Sequence, residues 1–320
     1  IIFAIRSLSP EQLPPKQLAP DVFSRYNGRR TTLVRTIRRF DPSGIPRLSS
    51  TVRFVIMDSK LSKFIGCLVG TAIGDSLGAR REGSSAFAEI ADLSPRYTED
   101  TTLTIAVAES LAECREFHYW HMAERLLKKY EQEPWRRYGH TLTRVFRLMR
   151  NGKLGFGMID RDLYPEGSFG NGAPMRVSPV GLLYYDDPRS LREIAYNCAG
   201  ITHSHELGLE GAALQACAVA LAVLADPQDI RTTEFLGTLR MFTKEGPYRE
   251  KLKALIKLLE THPSREEVVA QLGTGESSVE SVPTAVYAFL STSDFKSAVI
   301  YAVSLGGDAD TIGAMTGAIA

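Results

Sequence analysis

Apolar residues recur with a helical period along most of the chain, and this pattern restricts the fold more than any other feature. Leu103, Val107 and Leu111, for example, are each four residues apart, which places their side chains on one face of a helix. No stretch shows clearly the alternation of apolar and polar residues that predicts a half-buried strand. The sequence therefore predicts an all-α fold, organised as a single compact, orthogonal multi-helix domain.

Eleven helices are predicted from this period, each with apolar positions three or four residues apart. They cover Leu61–Ala79, Thr101–Glu116, His118–Tyr130, Thr141–Asn151, Leu191–Ala199, Glu206–Ala225, Thr233–Thr243, Tyr248–Leu259, Arg265–Gln271, Val282–Phe289 and Asp294–Ser304. A further apolar run of small residues extends from Ile312 to Ala320. Clusters of Pro and Gly at 152–181 and 272–276 predict long loops between the helices.

Residues 1–56 differ from the rest of the chain. They hold ten Arg or Lys against three acids and show no sustained helical period. Two interpretations compete: a basic, acid-poor organelle-targeting segment, or an upstream region that the working protein lacks. In either case we predict disorder for residues 1–56 and a folded domain from 57 to 320. Because the chain stops at Ala320 within a predicted helix, we also expect this domain to be truncated at its carboxyl end.

The overall composition predicts a soluble globular protein. The chain has 320 residues, of which 44% are hydrophobic and 23% charged, and its formal net charge is +1. So small a net charge gives no overall attraction to nucleic acid or to a membrane surface. The longest apolar run is also shorter than the roughly 20 residues that span a bilayer. The four cysteines form no CxxC pair, which is typical of reduced thiols in an intracellular protein.

A candidate functional site lies near the end of the chain, where Asp308 and Asp310 follow paired glycines and precede Thr311. Residues i and i+2 do not share a face of a helix, so the two carboxylates can converge only from a loop or a first helical turn. Carboxylates and a hydroxyl are hard ligands that suit Mg²⁺, Mn²⁺ or Ca²⁺. The alternative interpretation is an Asp that caps a helix.

A second acidic cluster has the same composition. Thr98, Glu99, Asp100 and Thr101 stand directly before an amphipathic helix, whose amino terminus favours ionised carboxylates. Together the two clusters can supply four carboxylates and two hydroxyls to one centre, which suits a pair of divalent ions about 3.5–4 Å apart. We therefore predict a binuclear metal site in a central cleft, with helix capping as the simpler alternative.

A glycine-rich stretch, Gly167–Arg176, carries Ser168 and Asn171 among small residues. Free N–H groups in such a loop can form a nest that binds an anion, and a diphosphate is the natural ligand beside divalent metals. Phe169 can then stack on a base or a ribose. The alternative interpretation is a structural turn that opens a helix at Pro174.

Two acids and two histidines have weaker signals. Asp75 lies inside the first predicted helix and can make a buried hydrogen bond, whereas Glu82 lies just past that helix and reads as an exposed acid. His203 and His205 are two residues apart, and one of them can bond a substrate or cap a helix. The basic and aromatic stretch Pro134–Arg150 is interpreted as a solvated helix face rather than a nucleic-acid site.

Taken together, these motifs resemble those of the ADP-ribosylglycohydrolase family, all-α enzymes with two magnesium ions. The resemblance covers residues from about 61 to 320. The stretches that carry it occur in family order and are Gly66–Asp75, Tyr97–Thr101, Gly167–Arg176, Thr202–His203 and Ser304–Gly317. Within the family, Gly167–Gly172 and Ser281–Ala285 look most like the eukaryotic branch that removes ADP-ribose from serine.

The resemblance implies a metal-binding set, a mobile acid and a ligand loop. Two Mg²⁺ ions, with Mn²⁺ as a substitute, would be held by Thr98, Glu99, Asp100, Asp308, Asp310 and Thr311, with Asp310 as the natural bridge. Glu82 would lie on a flap that closes the site, where it would join the metal ligands, and Glu82 or Asp310 would transfer the proton. The diphosphate and adenosine of ADP-ribose would be held by Gly167, Ser168, Phe169, Gly170 and Asn171, and the ligand would contact His203.

The activity that the resemblance implies is hydrolysis of the bond between C1″ of ADP-ribose and protein serine. ADP-ribosylated proteins or ADP-ribose polymers are then the expected partners, with O-acetyl-ADP-ribose as a further substrate and no direct nucleic-acid or membrane contact. Arginine-linked ADP-ribose is the enzymatic alternative. The alternative from another class is a non-catalytic ADP-ribose binder or a crystallin-like structural protein. A monomer is expected in the nucleus, the cytoplasm or the mitochondrial matrix, with a role in the DNA damage response.

Four residues depart from the family pattern. Glu99 stands where the family usually has Asp, and Phe169 replaces the Tyr of the serine branch. Leu163 and Tyr164 stand where a Phe is expected. Because Mg²⁺ requires near-ideal octahedral geometry, the additional methylene of Glu99 is expected to shift metal affinity, metal preference or rate.

Overall fold

The structure is a computed structural model that describes residues 50–83, 96–152, 159–261 and 263–320, without the side chains of 50–58, 159 and 162. Residues 1–49, most of the predicted disordered segment, and His262 lie outside the described residues. The helices of the described part are α1 (Ser50–Gly78), α2 (Glu99–Cys114), α3 (Tyr119–Gln132), α4 (His140–Arg150), α5 (Ser178–Leu183), α6 (Pro188–Ala199), α7 (Glu206–Leu224), α8 (Thr232–Phe242), α9 (Pro247–Thr261), α10 (Arg265–Leu272), α11 (Ser278–Leu290), α12 (Phe295–Ser304) and α13 (Ala309–Ile319).

The all-α prediction is confirmed for this part of the chain, which contains no β-strand. Several details differ from the sequence-based assignment. Helix α1 begins at Ser50 rather than Leu61, and α11 begins at Ser278 rather than Val282. The predicted loop at 152–181 contains a 3₁₀ turn at Pro174–Arg176 and overlaps the short helix α5. Six residues are too few to display a helical period, and Pro179 in the first turn of α5 resembled a loop signal. The domain boundary at residue 57 stays a prediction.

Helices α1 and α13 cross with their backbones in contact, and glycines make this approach possible. A Cβ atom added to Gly74 would lie 2.0 Å from the carbonyl oxygen of Gly313, and one added to Gly70 would lie 2.0 Å from that of Gly317. Only glycine therefore fits at these positions, as the small-residue pattern of the sequence suggested. The crossing brings Asp75 of α1 next to the first turn of α13.

Helix α7 forms the centre of the hydrophobic core. It is the one helix among the described residues that is long and apolar enough to cross a membrane, but 78% of its most apolar window is buried inside the protein. It packs against α5, α6, α11 and α13, and residues such as Leu214, Val219 and Leu221 are almost fully buried. Its composition is therefore that of a core helix wrapped on all sides by other helices.

Candidate active site

Three buried carboxylates meet where α1, α2 and α13 converge. One oxygen each from Asp75, Asp100 and Asp310 lies within 4.8 Å of the other two. Asp100 lies in the first turn of α2 and Asp310 in the first turn of α13. The predicted convergence of the two acidic clusters on one place is thus observed, and Asp75 joins them from the glycine-rich helix.

Asp75 anchors the turn that carries the second acidic cluster. Its carboxylate accepts hydrogen bonds from the backbone N–H of Thr98 at 2.9 Å and from the N–H and hydroxyl of Thr101 at 3.1 and 2.5 Å. The Thr98 hydroxyl in turn donates to Asp100 at 2.9 Å. Asp75 is therefore the residue that couples the position of the α2 amino terminus to helix α1.

The acids of this cluster are poorly compensated by positive charge. Burial, and then the neighbouring carboxylates, raise the pKa of Asp310 to about 10 and the pKa of Asp100 well above its usual value. Burial also raises the pKa of Asp75. Crowded, desolvated carboxylates resist ionisation unless a cation joins them.

A divalent cation fits the chemistry of this cluster. Oδ1 of Asp100 is buried without a hydrogen-bond partner in the described part of the chain, and such an atom is costly unless something satisfies it. The side chains that meet here offer the carboxylate oxygens of Asp75, Asp100 and Asp310, and such oxygens are the ligands preferred by hard divalent ions. The cluster can therefore hold a metal ion, with Asp100 and Asp310 as its central ligands.

Glu99 lies beside this cluster but turns towards another partner. The backbone N–H of Gly139, directly before α4, donates to Oε1 of Glu99 at 3.1 Å. Burial, with repulsion from Asp310 and Asp75 as further causes, raises the pKa of Glu99 to about 8. The longer side chain thus reaches past the three aspartates to the amino end of α4, and the predicted role of Glu99 as a metal ligand stays a prediction.

Glu82 lies at the exposed rim of the site, close enough to Asp310 to raise its pKa. Its carboxylate pairs with the guanidinium of Arg137, which also donates to the Ala79 carbonyl at 2.8 Å. The neighbouring Arg136 lies 3.7 Å from the ring centre of Tyr97 and donates to its carbonyl. The interpretation of Pro134–Arg150 as one solvated helix face is therefore wrong for its first residues, which precede α4 and bond the carbonyls of Tyr97 and Ala79 through Arg136 and Arg137.

Asp160 anchors the glycine loop, Gly167–Asn171, through hydrogen bonds to backbone N–H groups. One carboxylate oxygen of Asp160 accepts the N–H of Ser168 at 2.6 Å and that of Ser204 at 2.9 Å. Gly167 has a positive φ of 83°, and a Cβ there would meet the Ser204 hydroxyl at 2.3 Å. Both observations explain why the loop requires glycine at its first position.

The N–H groups of this loop are largely used inside the protein. Gly167 donates to the Tyr164 carbonyl and Asn171 to the Glu276 carbonyl, while Gly170 approaches its own neighbour, the Ser168 hydroxyl. Four of the five N–H groups of Gly167–Asn171 therefore have an acceptor within the protein, and an anion-binding nest in the longer stretch Gly167–Arg176 stays a prediction. Side chains remain for a ligand: Phe169 is 50% exposed, and its ring meets that of His205 edge-on at 5.5 Å.

Two side chains connect the glycine loop to its surroundings. The amide of Asn171 donates to Asp308 at 2.6 Å, which ties the loop to the acidic turn before α13. His203 is buried beside Gly172, where an added Cβ would lie 3.4 Å from its Nε2 atom. Burial and the charge of Arg176 lower the pKa of His203 to about 3, so this imidazole is neutral at physiological pH.

The predicted site residues thus form two neighbouring groups. Asp100 and Asp310 meet in the cluster, Thr98 caps α2 beside them, and Thr311 is buried next to Asp310. Sequence reasoning gave no role to Asp160 or to Arg176, and neither carries a signal in the sequence that could have shown one.

Comparisons with known proteins agree with this geometry. The ADP-ribosylglycohydrolase family model matches residues 57–320. ADP-ribosylhydrolase ARH3 of Mus musculus is 34% identical, covering 81% of this chain and 83% of the mouse protein; the Homo sapiens protein of that name is 33% identical, covering 81% and 85%. ADP-ribosyl-[dinitrogen reductase] glycohydrolase of Rhodospirillum rubrum is 29% identical over 80% of this chain and 83% of its own length.

A solved structure described as an ADP-ribosylglycohydrolase-related protein complex has the same fold. It matches with a TM-score of 0.62 at 26% sequence identity and covers 82% of this chain and 87% of that chain. The family model and the solved structure thus agree on family and fold over most of the chain. The chain therefore belongs to the ADP-ribosylglycohydrolase family, resembles its ARH3 members, and is a hydrolase that acts on glycosidic bonds of ADP-ribose.

Proposed function

We propose that this chain hydrolyses the O-glycosidic bond between C1″ of ADP-ribose and a protein serine in a Mg²⁺-dependent reaction. The observation that carries the proposal is the cluster of three buried carboxylates, tied to the glycine loop by the bond from Asn171 to Asp308. The choice of serine rests on the resemblance of Gly167–Gly172 and Ser281–Ala285 to the serine branch of the family. ADP-ribose polymers are the second substrate class, and a monomer inside the cell is the proposed working form.

The acidic cluster would supply the ligands for the metal. Divalent ions bound there would polarise ribose hydroxyls and make a bound water a better nucleophile at neutral pH. Asp100 and Asp310 would hold them from the amino termini of two helices, with Asp308, Thr98 and Thr311 beside them. Two ions are proposed because the two acidic turns together offer more oxygen donors than one Mg²⁺ uses.

Glu82 is the proposed proton carrier, with Asp310 as the alternative. Its carboxylate is exposed at the rim, where water and the leaving serine can reach it, and Arg137 restricts its position. Asp310 is buried and would be occupied by the metal. A group at the rim can exchange its proton with solvent after each turnover, as general acid–base catalysis requires.

The glycine loop would bind the remainder of ADP-ribose. Phe169 offers an exposed ring on which a base can stack, an arrangement that protein sites often use for nucleotides. The Ser168 hydroxyl and His203 can bond oxygens of the diphosphate or ribose. The restraints from Asp160 would keep this loop in its binding conformation before the ligand arrives, which lowers the entropy cost of binding.

The direct test is release of ADP-ribose from matched peptides that carry it on serine or on arginine, with Mg²⁺ and with EDTA. The proposal expects release from the serine peptide that needs Mg²⁺ and that Asp308→Ala abolishes. Glu124→Ala serves as the matched control, because Glu124 is an exposed acid on α3. Faster release from the arginine peptide would overturn the serine assignment, and release that EDTA does not affect would overturn the metal assignment.

Glu99→Asp tests how the chain tolerates its departure from the family. The shorter side chain gives up the bond to the Gly139 N–H and brings its carboxylate back towards the cluster. We expect a lower Mg²⁺ concentration for half-maximal activity in this variant. An unchanged or higher requirement would mean that Glu99 already serves the metal through its longer side chain.

A further inference from the structure

Arg176 is a fully buried cation whose bonded partners in the described part of the chain are all neutral. Its guanidinium donates to the carbonyl oxygens of Gly172 and Cys198 and to the hydroxyl of Thr202 at 2.7 Å. Buried charges are normally paired with an opposite charge. The position of Arg176 directly behind the glycine loop therefore calls for an explanation other than an ion pair.

The bond from Arg176 to Thr202 fixes the direction of a second hydrogen bond. Oγ1 of Thr202 lies 2.7 Å from Nδ1 of His203. A guanidinium can only donate, so the Thr202 oxygen accepts from Arg176. If it also accepted from a protonated Nδ1, its own proton would have no acceptor, because no other described group bonds Oγ1. Thr202 is fully buried, and an unsatisfied buried hydroxyl is costly.

The Thr202 hydroxyl must therefore donate to Nδ1 of His203. A neutral imidazole carries one proton, and with Nδ1 as the acceptor that proton lies on Nε2. Nε2 is the atom on the side of the glycine loop, 3.4 Å from a Cβ built on Gly172 and 3.9 Å from one on Gly170. None of the described residues forms a hydrogen bond with it, so this donor is available to a ligand.

We infer that Arg176 and Thr202 are positioning residues that hold His203 as the Nε2–H tautomer, aimed at an acceptor oxygen of the ligand on the glycine loop. This inference rests on the proposed function for the ligand, ADP-ribose, whose phosphates and ribose hydroxyls offer such oxygens. Burial and the charge of Arg176 keep the ring neutral, in line with the lowered pKa of His203. The Nε2–H group of His203 then donates to the ligand, and the doubly protonated form of the ring does not compete with it.

The tautomer can be read directly by two-bond ¹⁵N–¹H correlation spectra of the full chain labelled at its histidines, at about neutral pH. The chain has six histidines, so the His203 signals are assigned by their loss in His203→Gln. The free protein is expected to show the Nε2–H pattern for His203. A pattern of Nδ1–H, or of a doubly protonated ring, would overturn the inference.

Thr202→Val and Thr202→Ser form the matched pair of variants. Valine keeps the shape but lacks the hydroxyl, so His203 is expected to populate both tautomers and to bind ADP-ribose about tenfold more weakly in a calorimetric titration. Serine restores the hydroxyl and is expected to restore both the Nε2–H pattern and the affinity. An Nε2–H pattern that persists unchanged in Thr202→Val would mean that Thr202 does not fix the tautomer of His203.

The outcome for the proposed function is separate, because the tautomer is measured without ligand. An Nε2–H pattern in a protein that does not bind ADP-ribose would support the role of Arg176 and Thr202 in fixing the tautomer, and would refute the assigned ligand. Binding of ADP-ribose by a protein in which His203 is the Nδ1–H tautomer would refute the positioning role of Arg176 and Thr202. It would not contradict the proposed function. The wild-type spectrum decides the inference even if a variant fails to fold.

Discussion

The two halves of the site are built on opposite electrostatic principles. On the acidic side, Asp75, Asp100 and Asp310 are forced together by helix packing, and burial followed by repulsion from neighbouring carboxylates disfavours the ionised forms of Asp100 and Asp310. On the loop side, Asp160 accepts two N–H groups and His203 is neutral. The acidic side thus needs a cation that the protein does not supply, whereas on the loop side the backbone N–H groups of Ser168 and Ser204 find their acceptor within the protein.

Because of this difference, the site can be preorganised for its ligand and still depend on a metal. The loop is held in one conformation by hydrogen bonds within the protein, which lowers the cost of binding. The acidic side instead carries repulsion that the α1–α13 crossing holds in place. The bond from Asn171 to Asp308 is the direct connection between them, so events at the metal can reach the loop.

The largest effect is expected from Asp310→Asn, which removes a central metal ligand. We expect catalytic efficiency to fall about a thousandfold, because a metal ion contributes several kcal/mol of charge stabilisation. The amide resembles the protonated acid, so the melting temperature in EDTA should stay level or rise. Steady-state rates and thermal melts check both. Loss of stability of the variant in EDTA would mean that the acids do not repel one another, and would contradict the contrast between the two halves of the site.

The next effect concerns the crossing that forces the acids together. Gly74→Ala places a methyl group into the backbone of α13 and should cost about 3 kcal/mol in the free energy of unfolding. Gly66→Ala is the matched control on the same helix, since nothing lies within 4 Å of its added Cβ. Alanine there should be neutral or stabilising by up to about 1 kcal/mol. Chemical denaturation measures both, and equal costs would refute the close crossing.

On the loop side, Asp160→Ala should raise KM about tenfold while the metal requirement stays unchanged. The variant leaves two N–H groups of the loop region without their acceptor, and roughly 1.4 kcal/mol of lost preorganisation corresponds to that factor. Asp160→Asn keeps an acceptor oxygen and should show a smaller change. If the Mg²⁺ requirement moved together with KM, the two halves would not be separable as described.

The last expected effect is a pH dependence of stability that arises on the acidic side. The folded pKa of Asp310 is about 10 and that of Glu99 about 8, against roughly 4 in the unfolded chain. The folded protein therefore binds more protons than the unfolded one, and its stability must fall as pH rises through this range. Without metal, the melting temperature should decline between about pH 7 and 9.

Added Mg²⁺ should oppose this decline, because metal binding requires the deprotonated acids. The stabilisation by Mg²⁺ should therefore grow with pH over the same range. Asp310→Asn is the control and should flatten the metal-free profile. A metal-free melting temperature that is constant or rises with pH would contradict the raised pKa values of these acids.

The sequence and the structure agree most closely where the signal is periodic or local. Helical spacing predicted the positions of Glu206–Leu224 and Arg265–Leu272 within a residue at each end. Two acidic turns of like composition predicted that Asp100 and Asp310 would meet. Helix positions depend on residues that are close in sequence. Two acidic turns of like composition have few explanations other than a shared cation.

The features that escaped prediction depend on tertiary contacts. Asp160 and Arg176 act through partners 4 to 44 residues away, and nothing in the surrounding sequence indicates these contacts. The glycine loop illustrates a mixed case: its composition indicated free N–H groups, yet Tyr164 and Glu276 accept those of Gly167 and Asn171. Composition indicates what a loop can do, whereas its packing decides which groups remain free.

Anomalous diffraction from a crystal soaked with Mn²⁺ tests directly whether the buried acids form a divalent cation centre. We expect strong peaks within coordinating distance of Asp100 and Asp310, with two peaks about 3.5–4 Å apart if both ions bind. The Asp310→Asn protein should show them weakened or absent. Manganese peaks found elsewhere on the protein, with none at these two aspartates, would mean that the acids do not form such a centre.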